Sequence, residues 1–241
     1  GRTQVRHGRA EHSAEAYANE ALRLARSIGD QNGMCNAYAT LGMIAQANGK
    51  LDEAERAYIE SDALARQLKH SGLLSRAMSH LSDVASMRGD LERATALLEE
   101  ALANARVSGM TWDIPIMTAM LGHLARQQQR HDLAKARYRE GLTLLSTFDS
   151  PAYIAWCLEG YAAVLGAEGH YTQAIRMCAA AAALREQIQA PLLQAQREAF
   201  EQTVATARAA LDEASFAREW NAGTMLTQDQ AIDYALSDVC A

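Results

Sequence analysis

The sequence is poor in the residues that build sheets, staples and rigid turns. Its 241 residues include three prolines, and valine and isoleucine together number 15. Strands draw on β-branched and aromatic residues, and aromatics make up only 6% of the chain. A β-sandwich, a TIM barrel or a doubly wound sheet is therefore not expected. The four cysteines, at 35, 157, 178 and 240, have no CxxC spacing. That pattern reads as free thiols in a reducing compartment, not as a disulfide framework or a zinc site. No apolar run approaches the roughly 18 residues of a membrane span, and no signal-peptide pattern opens the chain. The formal charge of −6 disfavours nucleic acid as a direct partner, because phosphate recognition needs a basic face. A cytoplasmic location, away from any membrane, is the expectation.

Signatures of chemistry are also missing. There is no GxxxxGK[ST] phosphate loop, no HExxH, no GxSxG and no kinase set, each of which carries its own mechanism. None of the seven histidines pairs with a carboxylate or cysteine at metal-ligand spacing. No catalytic residue, no cofactor and no metal is assigned, and the reading is non-enzymatic.

Alanine (49) and leucine (27) dominate instead. Both are strong helix formers, and they recur with a period of 40. Four stretches align without a gap, at 41–61, 81–101, 121–141 and 161–181. Their first column is large (Leu41, Leu81, Leu121, Tyr161) and the next is small (Gly42, Ser82, Gly122, Ala162), where a neighbouring helix must come close. Gly49, Gly89 and Gly169 stand where a helix needs a left-handed residue to end. Gln129 breaks that column, so a third turn that is slightly strained or differently built is expected. Ala54, Ala94, Ala134 and Ala174 are identical and should lie at the closest approach of two helices. Tyr58, Leu98, Tyr138 and Cys178 should fill the space between pairs. The alanine column extends to Ala14 and Ala214, and LDEA at 51–54 returns at 211–214. The chain opens on Gly1 and inside this pattern, which reads as a piece of a longer protein whose first helix is cut away.

These columns resemble the tetratricopeptide repeat, whose usual period is 34. The resemblance covers residues 14–214. It implies an all-α, right-handed α-solenoid of helix pairs with a 40-residue period and a C-terminal helical cap. The six extra residues should lengthen the second helices, since no proline closes them. Helices are expected near 11–28, 31–48, 51–69, 72–88, 91–108, 113–128, 131–147, 151–168, 171–188, 191–209, 211–221 and 227–238. Pro115, Pro151 and Pro191 mark first-helix starts. Asp149 and Ser150 are cap candidates, and Thr227 with Gln230 reads as a capping box. Two regions are expected: repeats over 1–190, then a last helix pair and capping helix over 191–241.

Residues 178–238 carry a second resemblance. The run ALREQIQAP, then Phe200, Ala209-Ala210-Leu211, Phe216, Trp220 and Gly223 before LTQDQAIDYAL, is similar to the end of the repeat region in bacterial LuxR/MalT-type ATP-dependent (STAND) regulators. That resemblance implies the sensor or interaction region of a larger transcriptional regulator. Its partners would be a protein, a peptide or a small-molecule inducer, with ATPase and DNA-binding modules elsewhere in the parent. The alternative is a scaffold region of another signalling protein, such as a kinase or cyclase.

In the repeat family, first-helix offsets line a concave face. Here they select Asn36, Arg76, His80, Asp83, His123, Arg126, Trp156 and Glu159 as the ligand- or partner-binding set, with Thr40, Met43, Gln46, Ile116, Met120 and Ala163 beside them. The basic clamp of co-chaperone members is not reproduced, so a chaperone-tail receptor is disfavoured. Methionines on first helices (Met43, Met78, Met87, Met117, Met120) read as core filler ahead of a promiscuous groove. Cys178 reads as a buried inert thiol, Cys240 as an exposed one, and His131 and His170 as solvated turn residues.

Overall fold

The computed structural model describes residues 2–192 and 194–237, with side chains described for 14–192 and 196–237. Cys240 lies outside the described residues. Among those described, all regular structure is helical. The elements are α1 (Arg2–Ile28), α2 (Gln31–Ala47), α3 (Leu51–Leu68), α4 (Ser71–Met87), α5 (Leu91–Ser108), α6 (Asp113–Gln127), α7 (His131–Leu145), α8 (Pro151–Ala167), α9 (Tyr171–Gln187), α10 (Gln194–Ala210), α11 (Glu213–Thr224) and α12 (Gln228–Leu236). Antiparallel neighbours pair and stack, which makes an all-α solenoid. No helix among the described residues is long and apolar enough to cross a membrane. The chain divides into two compact units, residues 1–117 and 118–241.

The 40-residue columns become packing positions. Ala54, Ala94, Ala134 and Ala174 are all fully buried, and so are Tyr58, Leu98, Tyr138 and Cys178. A methyl is the largest side chain that lets two helix backbones approach so closely. The small column behaves likewise. A Cβ on Gly42 would stand less than 3 Å from the Tyr58 ring, and one on Gly122 would stand 2.9 Å from Tyr138. Where the facing residue is Leu98, Ser82 fits, and its hydroxyl donates to the Ala94 carbonyl at 2.7 Å.

Helix ends depart from expectation in an instructive way. Gln129 adopts φ 59°, the same left-handed turn as Gly49, Gly89 and Gly169, so of the two expectations for the third turn the strained one holds. The turn geometry is held by the flanking helices, and Gln129 bears the local strain of a left-handed non-glycine residue. A second left-handed column closes the long helices at Gly29, Lys69, Gly109 and Gln189. Its fourth member would be position 149, but α7 ends three residues early, at Leu145. The long helices α3 and α5 have 18 residues each, about 27 Å. Ser150 precedes α8 as its N-cap with Pro151 at N1, yet its hydroxyl makes no capping bond. The Thr227–Gln230 capping box is complete, with Gln230 N to Thr227 Oγ1 at 3.3 Å and Thr227 N to Gln230 Oε1 at 3.0 Å.

In unit 1, α1 lays Ala18, Leu22 and Ala25 against α2. Ala14 is exposed, so the column does not reach closest approach there. In unit 2, α8 is buried around its circumference, from Ile154 and Ala155 through Leu158, Tyr161 and Leu165. α12 covers the same core with Ala231, Ile232 and Ala235. Here the register also changes. LDEA at 51–54 opens α3 from Leu51, whereas Asp212 caps α11 and the helix starts at Glu213. Ala214 is therefore exposed, and α11 approaches α9 through Gly223, where a Cβ would run into the Arg176 carbonyl. Two arginines hold this end. Arg176 pairs with buried Glu219 at 2.9 Å and lies over the Tyr234 ring. Arg139 donates to the carbonyls of Ala235 and Leu236 at 3.1 and 2.6 Å, satisfying the α12 C-terminus.

Candidate functional site

The candidate residues fall into two groups, one in each unit. In unit 1, Asn36 lies on α2, and Arg76, His80 and Asp83 lie on α4. Arg76 is exposed and donates to the Asn36 side-chain oxygen. His80 stacks on Tyr58, with ring centroids 4.8 Å apart and planes within 12°. The Tyr58 hydroxyl donates to Gln46 Oε1 at 2.8 Å, so the α3 tyrosine fixes a first-helix imidazole on one side and a first-helix amide on the other. Burial, helped by the Arg76 charge, holds the His80 pKa below its usual value. Asp83, one turn on, forms no ion pair among the described residues, and burial pushes its carboxyl up to about 6. This unit thus offers an exposed guanidinium and a half-buried carboxylate that its own fold leaves uncompensated.

In unit 2, His123 and Arg126 come from α6, Trp156 and Glu159 from α8. His123 stacks on Trp156 at 3.9 Å between centroids, and Tyr138 meets the same imidazole edge-on at 5.1 Å. Gly160 makes the arrangement possible, because a Cβ there would overlap both the Tyr138 hydroxyl and the His123 ring. Burial, then the Arg126 charge, pushes the His123 pKa down to about 3, so the ring is neutral at physiological pH. Among the described residues, His123 Nε2 and Arg126 Nε are buried without hydrogen-bond partners, a costly state for a polar atom, and the Tyr138 hydroxyl has only the Arg126 guanidinium near it. Trp156 also packs against the unit 2 core, so it is as much a structural residue as an anchor. Glu159 forms an ion pair with Arg185 of α9, Nη2 to Oε2 at 2.9 Å, and their side chains are only 9% and 13% exposed. Burial raises the Glu159 pKa, and the Arg185 guanidinium opposes that rise.

The offsets therefore found the first-helix residues and missed their second-helix partners Tyr58, Tyr138 and Arg185. What the 40-residue period does carry over is a contact at an equivalent position: Ser61 Oγ donates to the Cys35 carbonyl at 3.1 Å, and 40 residues on Ser75 Oγ donates to the Ala101 carbonyl at 2.8 Å. The pairing of Arg185 with Glu159 lies at another position and has no such signal. The other forecasts divide. Met78 and Met117 are core, whereas Met43 and Met87 are 46% and 56% exposed. Cys35, Cys157 and Cys178 are buried free thiols, each with its pKa raised by burial. His170 is exposed, whereas His131 is half-buried 3.8 Å from Glu168. Among the described residues no cluster of three metal-ligating side chains occurs.

Helix pairs with these columns define a class, and comparison with protein families agrees: residues 33–106 match the tetratricopeptide repeat. Repeats of that kind are protein-interaction scaffolds. Among solved structures, the chain is similar to BtubC (BKLC) from P. vanneervenii, at 20% identity and a TM-score of 0.68, over 93% of this chain and 91% of that one. At that identity the likeness establishes the fold. A search of curated proteins returns no match.

Proposed function

We propose that this chain is the non-catalytic interaction region of a larger regulatory protein, and that the α2–α4 face of unit 1 receives a protein or peptide. The observation that supports this reading is the row Asn36, Arg76, His80 and Asp83. Among the described residues, Arg76 is exposed with a neutral amide as its hydrogen-bond partner, and Asp83 is half-buried without an ion pair. An unpaired half-buried carboxylate is destabilising, so Asp83 carries a cost that its own neighbours do not offset. A ligand carrying a carboxylate for Arg76 and a cation for Asp83 recovers that cost. The resemblance of residues 178–238 supports placing the chain in a LuxR/MalT-type STAND regulator. There, a partner that binds one arrangement of the helix pairs better than another would bias the attached ATPase and DNA-binding modules.

Two experiments test this. Peptides selected against the 241-residue chain from a random library should bind about tenfold more weakly to Arg76→Ala and to Asp83→Asn, with no loss of melting temperature. Undiminished binding by both variants would refute the assignment of the face. Separately, the parent reading frame should encode a phosphate loop on one side and a basic helix-turn-helix on the other. A kinase or cyclase in their place would replace the regulator reading with a scaffold.

A further inference from the structure

Unit 2 contains a cavity of about 420 Å³ between the middle of α8, the last turns of α9, the residues that follow α9, and α10. Its walls are Ala182, Ala190, Pro191, Leu192 and Phe200, and its polar groups are Glu159, Arg185, Glu186 and Gln189. That size and an apolar lining with a few convergent polar groups suit a small molecule. A single peptide side chain would leave much of the space empty.

The charges select the sign of the occupant. Two carboxylates face one guanidinium, and the site sits at the C-terminus of α9, which ends at Gln187 and carries the negative end of the helix dipole. Arg185 is already committed to Glu159, which leaves Glu186 exposed and the Glu159 oxygens with lone pairs to spare. The other nearby guanidinium, Arg197, is outside the lining and donates to the Leu192 carbonyl at 3.5 Å, so an anion at the Glu159 end would have to break a buried ion pair to find a counter-charge. A cation finds one without breaking anything, and Phe200 adds an aromatic face for it.

We propose that this cavity binds a small organic cation, an ammonium head on an apolar body, with the head at Glu159 and Glu186 and the body against Ala182, Pro191 and Phe200. The site extends the reading of the chain as a binding region to a small-molecule ligand, but it uses none of the α2–α4 face, so the two can fail separately.

The test is a calorimetric titration of the whole 241-residue chain with phenethylamine, hydrocinnamate and phenethyl alcohol, three probes of one shape and different charge. The amine should bind saturably, with the carboxylate and the alcohol at least about tenfold weaker. Glu186→Gln, an exposed change that leaves folding intact, should weaken the amine about fivefold. Ala182→Phe should fill the cavity and abolish binding. The proposal is overturned if the amine does not saturate in the millimolar range, if the three probes bind alike, or if Glu186→Gln binds as the parent does. It is also overturned if a lysine-bearing peptide occupies the site and the free amine does not. A blank amine titration beside peptides still sensitive to Arg76→Ala would sink this site and leave the peptide face standing.

Discussion

Adding one methyl group to Gly42 should cost stability, although the same change in an ordinary helix would add it. Gly42 lies inside α2, where Gly→Ala normally contributes about 1 kcal/mol through helix propensity. Here the new Cβ would stand less than 3 Å from three atoms of the Tyr58 ring. The ring cannot swing aside. It is fully buried, its hydroxyl is tied to Gln46 at 2.8 Å, and its face is stacked on His80. Overpacking of this kind costs about 1–3 kcal/mol, so the net effect should be a loss of about 1 kcal/mol. The molecule supplies its own control, because Ser82 is accommodated opposite Leu98. In a Tyr58→Leu background, Gly42→Ala should therefore become neutral or stabilising, with a coupling of about 2 kcal/mol between the two sites. Helical arrays do not melt in one step, so the cycle is best read by native-state hydrogen exchange of α2 and α3 amides alongside urea unfolding. Additive single-site effects, or a stabilising Gly42→Ala in the parent background, would refute the claim that the small column exists to admit the tyrosine.

Three further outcomes follow from the same reasoning. Gln129→Gly should raise stability by about 0.5–1 kcal/mol by relieving the left-handed strain at φ 59°; an unchanged urea midpoint would show that the side chain offsets the strain elsewhere. Asp83 has its folded pKa raised to about 6 from 3.8, so its contribution is most favourable below pH 3.8 and is lost as pH rises through 6. Asp83→Asn should therefore stabilise the chain at pH 7 by about 1–3 kcal/mol, a gain that vanishes near pH 4 in a pH series of urea midpoints. His123 has its folded pKa depressed to about 3, so its contribution is present above pH 6.5 and falls away as pH drops toward 3. Its imidazole proton shifts, followed by NMR, should stay flat from pH 7 to 5, and a midpoint near 6.5 would mean that the ring is solvated.

The fold was legible because each repeat imposes the same steric demand in the same place. Alanine at 54, 94, 134 and 174 can mean little else than backbone contact, and the structure buries all four. The signal failed where position alone was extrapolated. LDEA at 211–214 repeats the letters of 51–54, but Asp212 is diverted to cap α11 through the Ser215 amide at 2.8 Å. The helix therefore begins two residues late, and Ala214 turns to solvent. A helix start is decided by which side chain satisfies the orphan amides, and identical tetrapeptides in different surroundings resolve that competition differently. The second left-handed column was hidden for a related reason. Its members are Gly, Lys, Gly and Gln, so the common element is a backbone angle that no shared residue type announces.

The site was legible only by halves. Offsets along one helix name the residues on a face, and they placed Asn36 beside Arg76 and His123 beside Trp156. They say nothing of what the paired helix brings to those residues from behind. Tyr58 and Tyr138 belong to a space-filling column, yet each also packs on a histidine, and Glu159 of the binding set carries an arginine from the paired helix, Arg185. Antiparallel geometry supplies part of the remedy. Facing residues keep a constant sum, so the contact of Ser61 with the Cys35 carbonyl returns 40 residues on between Ser75 and Ala101, and Ser82 meets Ala94 in the same register. That rule does not single out Arg185 for Glu159, and it says nothing of sign. The surplus negative charge beside that pair depends on where α9 stops and on Glu186 turning outward at its last turn. That surplus, unlike the repeat columns, is not a condition of the fold, and that is the reason to look for a ligand there.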